Sequence, residues 1–260
     1  MNKLKLLFIL LTFISIDISA QKVVFQGQFF QFSAGSKFNT VYDKTVGATH
    51  YKGLTGSARF AYINNSANFR WWTELDFDGG FFNSYNFPSV TDRVANQISG
   101  GYNFGFVKPI HKFSNELYLW GGASVTGRYA YNDVLSYSNS SDNYTFLNNL
   151  GLNGMLHYTF NMFDRWWSFE WFLNVPFVTY YMRPGYSVNF PDSSIGESNL
   201  ATFNKFFEID SEIRLVFPLM NENKISLEYH WDYFSLNTLN KVQYASHGIF
   251  ITAYFKLNHK

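Results

Sequence analysis

The feature that most constrains this chain is the alternation of side-chain character along its extended segments. Positions 225–233 read Ile-Ser-Leu-Glu-Tyr-His-Trp-Asp-Tyr, so the odd positions are apolar or aromatic and the even positions are polar. Successive side chains of a β-strand point to opposite faces, so one face of such a strand suits hydrocarbon and the other suits water. Similar segments recur along the sequence. The alternation predicts an all-β fold whose strands separate two different environments.

The composition fits strands that are apolar on one face only. Of the 260 residues, 47% are hydrophobic and 21% are aromatic, yet the mean hydropathy is only −0.15. Membrane-spanning helices would raise the mean hydropathy, whereas strands with a polar inner face lower it. The 18 Tyr and 7 Trp suit a membrane–water interface, where one end of an amphipathic ring is apolar and the other is hydrated.

Charge, cysteine and histidine content exclude several classes of function. The formal net charge is +1, so there is no basic excess for binding nucleic acid. The absence of cysteine excludes disulfides, cysteine-ligated metals and a cysteine-linked lipid anchor. The six histidines are dispersed without the spacing of a metal site, so we expect no metal and no other cofactor.

The first 20 residues have the features of an export signal. Lys3 and Lys5 provide a positive start, residues 4–16 are largely apolar, and Ala20 ends an acceptable cleavage site. The apolar run is shorter than the ~20 residues that a membrane-spanning helix needs. We therefore expect residues 1–20 to be a cleaved signal peptide and residues 21–260 to form a single domain.

Ten alternating segments are separated by connections that are short and long in turn. The short connections are 64–67, 108–114, 161–166 and 218–222, and the long polar ones are 33–53, 81–93, 131–144, 183–202 and 235–242. Each segment is long enough to cross a bilayer at a tilt. The predicted strands are 22–32, 54–63, 68–80, 94–107, 115–130, 145–160, 167–182, 203–217, 223–234 and 243–257.

This arrangement resembles bacterial outer-membrane β-barrels, which have short periplasmic turns and long extracellular loops. The resemblance implies a ten-stranded antiparallel transmembrane β-barrel in the outer membrane of a Gram-negative bacterium, with membrane lipid around it. A soluble β-sandwich is the alternative, but it would leave too many aromatic side chains exposed. The abundance of Asn, Lys, Phe and Tyr resembles envelope proteins of Bacteroidota, while the last residue, Lys260, departs from the terminal Phe of proteobacterial barrels.

The same alternation assigns a set of charged residues to the inside of the barrel. The opposite assignment would place them in hydrocarbon, at a cost of up to about 2–4 kcal/mol for each cation at the midplane. Buried charges must pair or form hydrogen bonds, so we expect a charge network that largely fills a narrow lumen. The predicted inward residues are Arg59, Arg70, Glu74, Asp76, Glu170, Glu208, Asp210, Glu212, Arg214, Glu228, His230 and Asp232.

The charges also predict the register of the hairpin formed by 203–217 and 223–234. A shift of two residues would set Glu212 directly opposite Glu228, and like charges in that position are unfavourable. In the preferred register two carboxylates, Asp210 and Asp232, face each other and favour a shared proton. In a neighbouring hairpin, Arg59 is expected within one diagonal step of Glu74. The predicted opposite pairs are Phe217–Ile225, Arg214–Glu228, Glu212–His230 and Asp210–Asp232.

Two pairs of inward residues suggest a catalytic alternative. Glu74 and Asp76 are two positions apart on one strand, as are His230 and Asp232 on another, so each pair shares a face. This pattern resembles the omptins, ten-stranded outer-membrane proteases that use an acidic pair opposite an Asp–His pair to activate water. The resemblance implies that these four residues are catalytic. Here one acid is Glu and the order is His-x-Asp, which departs from the family pattern.

Pro176 lies inside a predicted strand, where it removes a backbone donor from the hydrogen-bond ladder. A bulge that relieves strain in a curved sheet is the structural interpretation. The functional interpretation is a lateral opening through which an apolar molecule or lipid leaves the barrel.

The sequence leaves several functions open. The main expectation is a narrow or gated channel, or a scaffold whose outer loops bind a partner, which is a small solute in the first case and another envelope protein in the second. The alternatives are an enzyme, either omptin-like or lipid-modifying, and a subunit of a larger envelope complex. A lipid hydrolase lacks a convincing nucleophile–base pair, because Ser246 and His247 are adjacent and point to opposite faces.

Overall fold

A computed structural model describes residues 26–44, 50–84, 95–134, 142–183, 197–219, 222–238 and 241–257. The predicted signal peptide lies outside these residues. Across the described ranges, no helix is long and apolar enough to span a bilayer. The strands are β1 (Gly27–Asp43), β2 (His50–Asn65), β3 (Arg70–Ser84), β4 (Ala95–Lys112), β5 (Leu117–Val134), β6 (Asp142–Met162), β7 (Arg165–Arg183), β8 (Glu197–Ala201), β9 (Phe206–Pro218), β10 (Lys224–Leu236) and β11 (Val242–Leu257).

The strands form one closed antiparallel barrel. Each strand from β1 to β7 pairs with the next, β9 pairs with β10, and β10 with β11. β11 returns to pair with β1 over sixteen residue pairs, from Gln28–Leu257 to Asp43–Val242, and β7 pairs with both β8 and β9. Since β8 and β9 follow each other along the same side of β7, they occupy one place in the wall. The predicted ten-stranded barrel is therefore confirmed.

The predicted assignment of faces holds around the barrel. Large apolar side chains such as Leu152 and Ile251 are more than half exposed on the outer face, while charged neighbours such as Arg59 and Glu228 are buried inside. The predicted register of the β9–β10 hairpin is also confirmed in all four pairs. A slip of one residue would turn every charge of a strand toward lipid, so burial of charge fixes the register.

Several predicted strand ends were wrong because polar inner faces were read as loops. β1 runs from Gly27 to Asp43 rather than over 22–32, and the other long connections are likewise shorter than predicted. The upper part of β1 has a mixed outer face, with Ser36 next to the exposed Phe38, and mostly polar side chains inside, such as Asn39, whose amide donates to the Thr55 hydroxyl at 2.9 Å. A strand that lines a polar lumen needs no apolar inner face, so its sequence looks like a loop.

The predicted strand 203–217 begins at Phe206 instead, and the predicted connection 183–202 contains a further short strand, β8. β8 ends at Ala201, and a turn follows in which the backbone N–H groups of Lys205 and Phe206 both donate to the Thr202 carbonyl, at 2.9 and 2.8 Å. β9 begins only after this turn. The wall between β7 and its neighbour is therefore built from two separate ladders.

One glycine on the outer face allows a contact between strands that are not neighbours. Gly127 of β5 lies between Tyr102 of β4 and Asn148 of β6. The Tyr102 ring lies over Gly127, where an added Cβ would come within 2.1 Å of the ring, and its hydroxyl donates to the Asn148 side chain at 2.5 Å. This hydrogen bond satisfies an amide that faces lipid.

We expect arginine at the middle of the outer face to destabilise the barrel strongly. Leu75 is the sixth residue of β3 from the periplasmic end, near the middle of a span of about 9–11 residues, and is 51% exposed on the outer face. Leu75→Arg should lower the free energy of unfolding by about 2–4 kcal/mol, because the cation would lie near the bilayer midplane. Ile98→Arg, near the outer end of β4, should lower it by about 0–1 kcal/mol. Urea titration in phospholipid vesicles measures both, and equal losses would contradict the proposed membrane position.

Candidate functional site

The structure places the twelve predicted charged residues on the inner face of the barrel. Nine of them line a common internal space, while Glu170, Glu228 and Asp232 are buried in contact with other inward residues. Their partners are mostly on the opposite wall rather than on the adjacent strand. Four arginines reach across the lumen at successive heights, and we call these contacts the crossbars. The crossbars are Arg70–Glu170, Arg59 with Glu212 and Glu228, Arg128–Asp232, and Arg183–Asp43.

The first crossbar closes the periplasmic end of the lumen. Arg70 of β3 donates to both carboxylate oxygens of Glu170 on β7, at 2.6 and 2.9 Å. His157 of β6 contacts the same carboxylate through Nδ1 at 3.0 Å. A bidentate guanidinium–carboxylate pair has defined geometry as well as strong hydrogen bonds. This contact therefore holds two opposite walls of the barrel together at the periplasmic end.

An apolar cluster surrounds this first crossbar. Trp72 of β3 and Phe172 of β7 meet edge to face across the lumen, with ring centroids 5.2 Å apart. Other members are almost completely buried, including Trp120 at 1% exposure. Side chains of this size leave little room for a water-filled path. The cluster consists of Phe29, Ile63, Trp72, Val107, Tyr118, Trp120, Met155, Val216 and Tyr254, with Phe172 packed against it.

The second crossbar lies above this cluster. Arg59 of β2 donates to Glu228 at 2.5 Å and to Glu212 at 3.4 Å, so one guanidinium holds two carboxylates from β9 and β10. Arg214 donates to the other oxygen of Glu212 at 2.5 Å, and the Tyr254 hydroxyl donates to Glu228 at 3.0 Å. Each buried carboxylate therefore has several donors, which is the condition for burying charge without a large penalty.

The upper crossbars complete the series. Arg128 of β5 pairs with Asp232 of β10. Above it, the Asp43 carboxylate of β1 accepts hydrogen bonds from Arg183 of β7 at 2.5 Å and from the Asn143 amide of β6 at 2.6 Å. Apolar clusters accompany this end of the barrel as well. They consist of Leu147, Tyr181, Ala201, Phe206, Phe234, Leu236 and Val242, and of Tyr51, Phe82 and Ala95.

A cavity of about 130 Å³ remains within the lumen. Its lining includes Glu74 and Asp76, neither of which has an ion-pair partner within 4 Å in the described part of the chain. Arg59 lies directly opposite Asp76 on the next strand and one diagonal step from Glu74, as predicted. Its guanidinium nevertheless points to the far wall. The cavity therefore has a negative side on β3.

The predicted sharing of a proton between Asp210 and Asp232 was wrong. The two residues face each other in the ladder, but Asp210 contacts Nε2 of His230 and Asp232 contacts Arg128. Each carboxylate has its own nitrogen partner because a third strand, β5, supplies an arginine that hairpin geometry could not reveal.

The four residues of the catalytic alternative do not form the expected arrangement. His230 is oriented by Asp210 of the neighbouring strand, while Asp232 is bound by a guanidinium and does not line the cavity. An Asp–His pair needs the acid to orient the imidazole, and Asp232 does not do so here. Ser246 and His247 point to opposite faces of β11, as expected, with Ser246 buried and His247 exposed.

Sequence reasoning missed several charged residues of the lumen. Lys37, which pairs with Asp78 at 2.9 Å, and Asp43 lie in the part of β1 that was read as a loop. Arg183 was assigned to the turn after β7. Arg128, Asp78 and Lys224 lay within predicted strands, and strict use of the alternation would have placed all three inside.

Comparisons with known proteins identify the fold but no family. No family model and no curated protein matches the chain. The transport unit of the autotransporter AIDA-I from Escherichia coli is 10% identical, with 95% of this chain and 94% of that chain covered and a TM-score of 0.50. The translocator domain of autotransporter NalP from Neisseria meningitidis is 10% identical, with 97% and 94% covered and a TM-score of 0.44. The fold is that of the outer-membrane β-barrels.

We expect loss of one crossbar partner to cost more than loss of both. Arg70→Met leaves the buried Glu170 carboxylate without its guanidinium and should lower the free energy of unfolding by about 3–5 kcal/mol. The double variant Arg70→Met/Glu170→Met removes both charges and should lose clearly less. Urea titration in vesicles measures both variants.

An exposed ion pair provides the matched control for this prediction. Lys256 contacts Glu222 in the periplasmic turn, and this contact holds the pKa of the Glu222 carboxyl below its ordinary value. The Glu222 side chain is 67% exposed, so Glu222→Gln should change stability little. A double variant as unstable as Arg70→Met would mean that packing, rather than a stranded charge, explains the loss.

Proposed function

We propose that this protein is a closed outer-membrane scaffold rather than an open pore. The observation that supports the proposal is the series of crossbars, which connect opposite walls at four heights of the lumen. When one partner of a buried ion pair moves away, the other charge stays buried without a partner, and this strongly destabilises the protein. A solute that passed along the axis would have to break all of them and displace the periplasmic apolar cluster.

The length of the strands supports a role for the outer rim. A strand tilted by about 45° crosses a bilayer with about 9–11 residues, whereas the strands other than β8 contain 13 to 21. Since the periplasmic turns are short, the additional length raises the wall above the outer surface. A rigid wall of this height would present the outer connections to another envelope protein or to a ligand at the cell surface.

A gated channel is the second candidate, and the cavity is the observation that favours it. Glu74 and Asp76 line an internal space without a direct ion-pair partner in the described residues. Unpaired carboxylates in a polar cavity attract cations. In this function the structure would represent the closed state, and rearrangement of the crossbars would open it.

Planar-bilayer recordings distinguish the two candidates. We expect the folded protein to insert without producing discrete conductance steps, because the crossbars and the apolar cluster block the axis. Steps whose cation selectivity falls in Glu74→Gln/Asp76→Asn would refute the scaffold and establish the gated channel. Glu116→Gln is the matched control, because Glu116 is an exposed acid in a periplasmic turn and should not affect any step.

A further inference from the structure

The wall between β7 and its neighbour contains a gap in the hydrogen-bond ladder. β7 pairs with β9 from Ser168 to Asn174 and with β8 from Thr179 to Arg183. Between these ladders, residues 175–178 of β7 have no registered partner on that side among the described residues. Residues 202–209 of the facing chain have none on β7. We call this gap the seam.

The sequence explains why the seam lies here. Pro176 has no backbone N–H to donate. On its other edge, β7 pairs Pro176 with Gly151 and Val178 with Leu150, so Phe177 is an extra residue that forms a bulge, as the proline predicted. Across the seam, the turn at 202–205 separates β8 from β9. A missing donor, a bulge and a turn therefore coincide.

The two faces of the seam differ in polarity. Alternation places Val175, Val178, Phe207 and Ile209 on the outer face, and the Phe207 ring lies 6.4 Å from the ring of Tyr233. Aromatic residues at this height are typical of the interface between membrane and water. A gap beside lipid exposes backbone polar groups that the hydrocarbon cannot satisfy. The seam is thus a weak point at the edge of the outer leaflet.

The inner face of the seam is polar where it adjoins the cavity, while the buried Phe206 covers its upper end. Asn149 of β6 donates to Glu208 of β9 at 2.8 Å, so this hydrogen bond bridges the inner side of β7 at the level of the seam. Glu208 within the seam, and Asn174 and Asp210 at its lower border, line the cavity. The Asn149–Glu208 hydrogen bond is a clasp, because it connects the two strands on either side of β7.

We propose that the seam admits the head of a single-chain amphiphile from the outer leaflet into the cavity. An apolar outer face and a polar inner face suit a molecule whose chain stays in the membrane. A cavity of about 130 Å³ holds a small head group but not a second chain. The lining contains seven Asp and Glu residues and five Lys and Arg residues, so it favours a neutral or cationic head.

Photolabelling in phosphatidylcholine vesicles tests this proposal. The probe is a long-chain alkylamine with a diazirine next to the amine, and the fatty acid with the diazirine in the same place is the comparison. We expect the amine to label inward residues around the clasp, such as Asn149 and Glu208, several-fold more than the fatty acid does. Peptide mass spectrometry locates the label, since inward and outward residues alternate along each strand.

Closing the seam should abolish this labelling. Val175 and Ile209 would be the next pair if the ladder continued beyond Asn174–Asp210, and the native chain has no cysteine. Val175→Cys/Ile209→Cys, joined by oxidation or by a short bis-thiol reagent, should reduce inward labelling several-fold, and reduction or omission of the reagent should restore it. Phe169→Cys/Leu215→Cys, in the paired part of the same two strands, is the matched control and should leave labelling unchanged.

A variant that keeps the seam free provides an independent readout. Asn149→Ala removes the clasp and should increase labelling of the cavity residues. Absence of inward labelling in the native protein would overturn the proposal. Equal labelling in the closed and open forms of the cysteine pair at the seam would do the same, because the probe would then enter by another route. Neither result depends on whether the axis conducts ions, so the scaffold proposal is tested separately.

Discussion

The bilayer offers no hydrogen bonds to a peptide backbone, and this constraint determines the architecture of the protein. Every strand edge within the hydrocarbon must be paired, so the sheet must close on itself. Closure is achieved by the long ladder between β1 and β11, which leaves no free edge between the two ends of the described chain. Once the wall is closed, each strand has one face in lipid and one in a narrow lumen. The charge distribution follows from that division.

A narrow lumen creates an electrostatic problem that the crossbars solve. Charged side chains keep the inner face polar, but an ionised group in a confined space needs partners nearby. Adjacent strands supply few of them, since in the β9–β10 hairpin acids outnumber bases. Arginine is long enough to reach the opposite wall, and its planar guanidinium can serve two carboxylates at once, as Arg59 does. The same contacts that neutralise the charges also obstruct the axis.

Local sequence patterns were sufficient to predict most of the fold, whereas the contacts across the lumen could not be predicted. Alternation and the alternating lengths of the connections were sufficient for the strand number, the faces and the register of β9 with β10. These features depend on neighbours in sequence or on one hairpin. The partner of Asp232 is Arg128, four places away around the barrel, and no local pattern identifies it. The upper part of β1 was missed because a strand with a polar inner face and a mixed outer face resembles a loop.

The seam is a place where the backbone constraint and the sequence disagree at the height of the membrane surface. A proline, a bulge and a turn all weaken the ladder at the same height, and together they remove more of its hydrogen bonds than any one of them would alone. Elsewhere the described strands pair continuously apart from a bulge between Pro109 and His111 near the periplasmic end of β4, and the crossbars brace the lumen. Local departures from consistent patterning tend to mark functional positions. A rigid barrel that is closed along its axis and weak at one lateral position directs any exchange of molecules toward the membrane.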